Sequence, residues 1–343
     1  MRFRPLPTAT SSDPDTIPFA DPPDSMRAMV IDAPGDPDAL RAASVPVPSP
    51  VMSELLVRVV GAGVNPIDAK TRAGRGVSGA IAEYPAVLGY DFSGIVVTSP
   101  YEAHALPPGT PVFGMTAFPR SGGAYGEYVV VPAQSVARKP SALSHVEAAG
   151  VPLAALTAWG LVVETAHAHE GQRVLIHAGS GGVGHFAVQF AAYFGAHVTV
   201  TASGRNAPWL RELGASVVID YTTTRFEEVV AEVDVVIDLV GNVGGDTGSR
   251  SLTVLRRGGL YIMVPTGAWP GYAEAAAGAG VRATSYKVIP DGGALATIAR
   301  LLDSGAVQVY IDRVFDLDEA AAAHREIEDG HTRGKIVLRV SDG

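Results

Sequence analysis

A chain of 343 residues with 47% hydrophobic and 18% charged side chains can bury cores for two domains of ordinary size, and its 39 glycines and 25 prolines demand many tight turns. The formal net charge of −9 is spread without acidic or basic blocks, which argues against nucleic acid or an anionic membrane as the main partner. Cysteine is absent, which removes disulfides, thiol nucleophiles, iron–sulfur clusters and thiolate zinc sites.

In chain order, residues 1–25 hold six prolines and no apolar core of signal-peptide length, so they read as a disordered leader, with Met26 as an alternative start. Residues 26 to about 140 are β-rich: "RAMVID", "ELLVRVV", "FSGIVV" and "AYGEYVVVP" are short β-branched runs punctuated by Gly and Pro. The longest apolar run, Ala148 to Val163, contains Pro152 and falls short of the ~18 residues a spanning helix needs. A soluble cytoplasmic protein is expected. From about residue 148 strands alternate with helices: "RVLIHA", "HVTVTA", "SVVID", "DVVIDLV" and "LYIMVP" read as strands of a parallel doubly wound sheet, an α/β fold. "LDEAAAAHREIEDG" reads as a late helix and "KIVLRV" as a final strand.

The segment "RVLIHAGSGGVGHFAVQF" reads as strand, glycine turn and helix, with Gly179, Gly181 and Gly184 at G-x-G-x-x-G spacing. Val183, Phe186, Ala187, Phe190, Ala191 and Phe194 follow on one helical face, and Gly195 stands where a helix C-terminal glycine belongs. Gly179 permits the tight turn, Gly181 lets the backbone approach a pyrophosphate, and Gly184 lets helix pack close to strand. The helix N-terminus adds free N–H groups and the positive dipole end. Two other readings use the same letters. One is an ordinary βα turn. The other is a hydrolase nucleophile elbow, "AGSGG", with Ser180 as nucleophile and His324 or His331 as base. The third glycine and the βαβαβ continuation favour the dinucleotide.

An NAD site usually places an acid about 20 residues after the glycines, where it accepts from the adenine ribose 2′-OH. Between Glu170 and Glu212 there is no Asp or Glu; "TASGRN" follows the second strand, with Ser203 and Arg205. A hydroxyl and a guanidinium suit a 2′-phosphate, so NADPH is expected over NADH.

The chain resembles the medium-chain dehydrogenase/reductase superfamily, in its zinc-independent quinone oxidoreductase-like branch. The residues that carry this are "GAGVNPIDAKTRAG" (61–74), "PAVLGYDFSGIVV" (85–97), "GGAYGEYVVVP" (122–132), "VPLAALTAWGLV" (151–162), "HAGSGGVG" (177–184), "TASGRN", "VVIDY" (217–221), "DLVG" (238–241) and "GHTRGKIVL" (330–338). The resemblance implies a GroES-like, β-rich catalytic domain over 26–147 plus 291–343, around a Rossmann domain over 148–290. The positions of the catalytic zinc ligands carry Asn65, Tyr90 and Leu153, which are no competent ligand set. His167 and His169, with Glu170 adjacent, have no further ligand to complete a metal shell.

By the same resemblance, Asn65 and Asp68 line the nicotinamide end of the cleft and Thr157 contacts the nicotinamide or its ribose. Gly182 and Val183 meet the pyrophosphate. Ser203, Arg205 and Tyr221 surround the 2′-phosphate, and Val264, Pro265 and Thr266 pass beneath the nicotinamide. Asn65 and Asp68 also read as a hydrogen-bonded turn before a helix. Without a metal the acceptor must itself be electron-poor, which points to quinones and α,β-unsaturated carbonyls. The Asn65 amide and Tyr90 or Tyr84 are the expected donors to the developing oxyanion, with Lys70 and Arg72 as further polar candidates. The alternatives are a non-catalytic NADPH-binding protein and a biosynthetic enoyl reductase. The resemblance further implies a homodimer formed through Rossmann edge strands, at "VRATSYKV".

Overall fold

The structure is a computed structural model and describes residues 22–120, 122–242, 245–265 and 267–342. Most of the expected leader, and Thr266, lie outside the described residues.

The N-terminal part contains β1 (Ser25–Ile31), β2 (Arg41–Pro46), β3 (Glu54–Val64), α1 (Pro66–Arg72), β4 (Ala86–Val87), β5 (Asp91–Thr98), β6 (Pro111–Met115), β7 (Tyr128–Pro132), β8 (Val136–Arg138), α2 (His145–Ala149) and α3 (Pro152–Trp159). The middle runs through β9 (Arg173–Ile176), α4 (Gly182–Tyr193), β10 (His197–Ala202), α5 (Ala207–Glu212), β11 (Val217–Asp220), β12 (Val233–Asp238), α6 (Thr247–Val254), β13 (Leu255–Met263), α7 (Tyr272–Gly278) and β14 (Arg282–Ser285). The chain ends with α8 (Gly292–Asp303), β15 (Ile311–Asp316), α9 (Ala320–Glu328) and β16 (Lys335–Arg339).

The middle strands form one parallel sheet in the order β11-β10-β9-β12-β13-β14. Strand order reverses between β9 and β12, which opens a crevice at the carboxyl ends where doubly wound sheets take their ligands. Val174, Ile176, Val198, Val200, Ile237 and Ile262 pack one face of this sheet with Phe186 and Phe190 of α4. Each fully buried phenylalanine stabilises the fold by about 1.5–3 kcal/mol. Leu175, Val236 and Tyr261 pack the other face. Both faces are therefore covered, as the unbroken apolar runs predict.

A second sheet has the order β15-β16-β3-β5-β6-β8, with β7 also on β3. Its interior is filled by Leu55, Val57, Phe92, Val112, Ile336 and Leu338. This is the GroES-like part. The last strand, β16, pairs antiparallel with β3, with Ile336 opposite Val64. That pairing sets Lys335 beside Asn65.

One sequence expectation changes in detail. The helix α4 is buried almost all round rather than on one face, because Gln189 exchanges hydrogen bonds with the backbone of Gln308 (2.9 and 2.8 Å) and covers its outer side. The Gly- and Ala-rich segment before β14 forms α7, and Trp269 packs edge-on against Tyr261, with centroids 5.9 Å apart. No helix among the described residues is long and apolar enough to cross a membrane.

At Gly94 a Cβ would lie 2.1 Å from the Arg58 carbonyl oxygen, next to an irregularity in the β3–β5 register. Gly94→Ala is expected to destabilise the protein by about 1–3 kcal/mol through backbone displacement. A urea midpoint equal to wild type would refute that close approach.

Candidate functional site

The glycine loop starts one residue after His177, at Ala178, whose φ of +53° is the left-handed conformation that ordinary residues seldom adopt. Each glycine has its own reason. A Cβ at Gly179 would meet the Val200 side chain at 2.9 Å, and one at Gly184 the Ala178 carbonyl oxygen at 2.2 Å. At Gly181, the N-cap of α4, the nearest atom would be 3.4 Å away, so a side chain there would fill open space in front of the helix. The first amides of α4, from Gly182, Val183 and Gly184, have no intrahelical acceptor by helix geometry. The loop thus has the open approach, the free donors and the dipole end that a pyrophosphate needs. Gly195, at φ +81°, closes the helix as expected, its N–H donating to Ala192 O at 2.9 Å.

Beyond β10, Ser203 opens a short turn, and its hydroxyl accepts from Asn206 Nδ2 at 3.1 Å. Arg205 is exposed and donates to the His331 carbonyl at 3.3 Å. Tyr221 is 59% exposed, its N–H donating to Ala202 O at 3.2 Å. Two groups here escaped the sequence. Arg333 arrives from just before β16, donates Nε to Asn206 Oδ1 at 3.0 Å and lies over the rings of Trp209 and Tyr310. Asp220, brought beside Ala202 by strand pairing, turns its carboxylate toward the Gly204 backbone; hydrogen bonds from Thr222 hold it below the usual carboxylate range. The turn without an acid in sequence has one in space.

Across the sheet, Val264 N–H donates to Asp238 O at 3.0 Å, and Asp238 Oδ1 accepts from Val240 and Gly241, both at 2.8 Å. Pro265 follows, half-buried. Thr157 is buried on α3, with Oγ1 donating to Leu153 O at 2.6 Å.

Asn65 and Asp68 form a capping box at the start of α1, Asp68 Oδ2 accepting from Asn65 N at 2.8 Å. The box belongs to a wider buried cluster. Asn65 Nδ2 donates to Asp91 Oδ2 at 2.9 Å, while Asp91 Oδ1 accepts from Leu153 N at 2.8 Å in the first turn of α3. The Lys335 ammonium donates to Asn65 Oδ1 and stands 3.7 Å from Asp91 Oδ2. On the far side, Tyr125 Oη donates to Asp68 Oδ2 at 3.3 Å and pairs with His324 Nε2 at 3.1 Å. Tyr90 is buried, edge-on to Phe118, with its hydroxyl 3.4 Å from Pro119 O. Burial, reinforced by the Asp68 charge, raises its phenol, so it stays a donor at neutral pH. Of the other polar candidates, Arg72 is buried and paired with Glu328 at 2.5 Å, while Lys70 and Tyr84 are exposed.

Residues 52–141 match the alcohol dehydrogenase GroES-like domain family and residues 213–338 the zinc-binding dehydrogenase family. The chain is 32% identical to the mitochondrial NAD(P)H oxidoreductase RTN4IP1 of Danio rerio, over 92% of each chain. It is 34% identical to the 2-methylene-furan-3-one reductase of Solanum lycopersicum, over 92% of this chain and 79% of that one. Its fold superposes on the quinone oxidoreductase from Coxiella burnetii with a TM-score of 0.87 at 37% identity, over 92% of this chain and 100% of the other. The chain belongs to the medium-chain dehydrogenase/reductase superfamily. Its relatives include quinone oxidoreductase-like and enone-reducing members.

The three positions that the sequence resemblance sets against zinc ligands make the following contacts. Asn65 takes the Lys335 ammonium, Leu153 offers its backbone N–H to Asp91, and Tyr90 lies under Phe118. Among the described residues no group of three His, Asp or Glu side chains gathers as a metal site. The relatives are oxidoreductases rather than hydrolases, and His324 Nε2 is bonded to the Tyr125 hydroxyl. Asp91 and Lys335 were within the quoted motifs "GYDFSG" and "GKIVL", but only long-range pairing reveals them as partners.

Burial pushes the Asp68 carboxyl from 3.8 up to about 7, against the Asn65 N–H, with the Asp91 charge adding to the rise. A raised acid contributes stability that is present in full below the unfolded value and is lost as pH rises through the folded one. Histidines act the other way: loss of water contact lowers half-buried His145 and buried His177 and His185 to about 4 and buried His324 to about 3, so their contribution is lost as pH falls. They are shared with Asp68→Asn, so the difference between the two proteins isolates Asp68. Wild-type stability relative to this variant should fall between about pH 4 and about pH 7 and level off above. Urea midpoints across that range test it; a constant difference would contradict the raised carboxyl.

Proposed function

We propose that this NAD(P)H-dependent oxidoreductase uses NADPH to reduce quinones or α,β-unsaturated carbonyls. The observation that carries the reading is the open face of Gly181 at the N-terminus of α4, at the carboxyl edge of the parallel sheet. The relatives named for enone, alkenal and quinone reduction support the acceptor class. Bound NADPH supplies a hydride, two electrons and one hydrogen nucleus, and a proton from solvent completes the reduced acceptor.

The chain's own residues bind, orient and stabilise. Gly179, Ser180 and Gly181 shape the loop, and the amides of Gly182, Val183 and Gly184 hold the pyrophosphate. Ser203, Arg205 and Arg333 hold the 2′-phosphate, with Tyr221 beside the adenosine. Thr157, Val264 and Pro265 flank the nicotinamide. Asn65 and Tyr90 donate hydrogen bonds to the acceptor oxygen as negative charge develops there. Asp68 keeps Asn65 in place through the capping box. We further propose a two-lobed working unit, residues 26–147 with 291–343 around 148–290, and a homodimer through the exposed edge of β14. One observation favours NADH instead: the Asp220 carboxylate beside Gly204, which could accept from a ribose 2′-OH and would repel a phosphate.

Oxidation of NADPH and NADH, followed optically against a quinone, an enone, an aliphatic aldehyde and no acceptor, tests cofactor and acceptor together. NADPH-selective turnover with the quinone or enone is expected. Equal use of NADH would overturn the 2′-phosphate assignment, and binding without any turnover would favour the non-catalytic alternative. Arg205→Ala and Arg333→Ala should each weaken NADPH binding about tenfold or more while leaving NADH binding almost unchanged, since each removes a charge-assisted hydrogen bond. Equal losses for both cofactors, measured by tryptophan quenching, would refute these roles.

A further inference from the structure

Lys335 is 3% exposed, and its ammonium donates to Asn65 Oδ1 and to Val64 O (3.1 Å) while facing Asp91 Oδ2 at 3.7 Å. Nothing in the reaction as described above uses this charge. Its neighbours nonetheless belong to every part of the candidate site. A Cβ on Gly182 would lie 3.1 Å from Lys335 Cδ, so the lysine stem runs beneath the N-terminus of α4. Gly334 N–H donates to Ser180 O at 2.9 Å, and Arg333 reaches Asn206. Three consecutive residues therefore touch the adenosine-side turn, the glycine loop and the buried cluster.

The chemistry of the cluster restricts Asn65. An ammonium can only donate and a carboxylate only accept, so Lys335 on one side and Asp91 on the other leave the amide a single orientation. Oδ1 must face Lys335 and Nδ2 must face Asp91, to which it donates at 2.9 Å. One amide N–H stays uncommitted. With neither charge present, the amide is free to flip and offer its oxygen to the site, where a developing oxyanion would be repelled rather than stabilised.

We propose that Lys335 is a positioning residue: its buried ammonium holds the Asn65 amide in the orientation that donates to the acceptor oxygen, and ties that amide to the glycine loop. The proposal rests on the assigned reduction of quinones or enones. The competing role is purely structural, compensation of the buried Asp91 charge. Lys335→Met alone does not separate the two, because it leaves Asp91 uncompensated in the interior and is strongly destabilising. The double variant Asp91→Asn with Lys335→Met removes both charges and leaves the amide free to turn.

Three measurements on the full chain decide between the roles. The double variant should keep an NADPH dissociation constant within about threefold of wild type by tryptophan quenching, yet lose about 10- to 100-fold in kcat with a quinone, with KM for the quinone little changed, as for a misplaced donor. In wild type, the Asn65 side-chain amide resonances, identified by their loss in Asn65→Asp, should exchange slowly with solvent; in the double variant they should exchange fast. A double variant with wild-type kcat would reduce Lys335 to charge compensation and overturn the proposal. If the double variant does not fold, the wild-type spectrum decides alone: an Asn65 amide exchanging as fast as surface amides would overturn it. Wild-type protein inert toward every quinone and enone would instead defeat the assigned reaction, while the amide exchange would still test the orientation.

Discussion

The buried polar cluster around Asn65 depends on one strand pairing. Antiparallel contact between β3 and β16 brings together side chains 270 residues apart in the sequence, Asn65 and Lys335. Once that register is set, Asp91 on the neighbouring strand β5 has both a cation and an amide within reach, and its other oxygen anchors the first turn of α3. A one-residue slip would turn every side chain of β16 to the opposite face, so the apolar interior made by Ile336 and Leu338 also secures the polar cluster. Packing and chemistry are held by the same ladder.

Electrostatics in this interior runs on a shortage of positive charge. Asp68 and Asp91 are wholly buried with one ammonium between them, and burial raises both carboxyls while lowering Lys335. Ionising every group at once would leave uncompensated charge in a low-dielectric medium. The protein responds with hydrogen bonds: backbone N–H groups from Asn65 and Leu153, and the phenol of Tyr125. The lowered histidines follow the same rule, since an uncharged imidazole is the form that burial allows.

Local chemistry was legible in the sequence. The glycine spacing, the helix behind it, its terminal Gly195 and the β-branched strands follow from periodicity and backbone sterics within a few residues. Family resemblance added Asn65, Asp68 and Tyr90, which the structure gathers around one buried helix start. What sequence order hides is contact across it. Arg333 lies 127 residues from the Asn206 it meets, and Asp220 reaches the turn after β10 only because parallel pairing aligns it with Ala202. Counting acids along the chain therefore missed a carboxylate that counting across strands would have found. The all-round burial of α4 has a similar origin, in a distant segment that covers its polar side.

The two sheets also differ in how the ribosome can deliver them. Every strand of the parallel sheet lies between Arg173 and Ser285, a continuous stretch that can collapse as soon as it emerges. The GroES-like sheet begins with β3, whose edge over residues 61–64 stays unpaired until β16, the last described strand, is made. Contacts this distant in sequence close slowly, because the loop entropy is lost before the pairing compensates it. During synthesis the parallel sheet is thus free to fold ahead of the GroES-like sheet, and the unpaired edge of β3 is the surface a chaperone would have to shield in the interval.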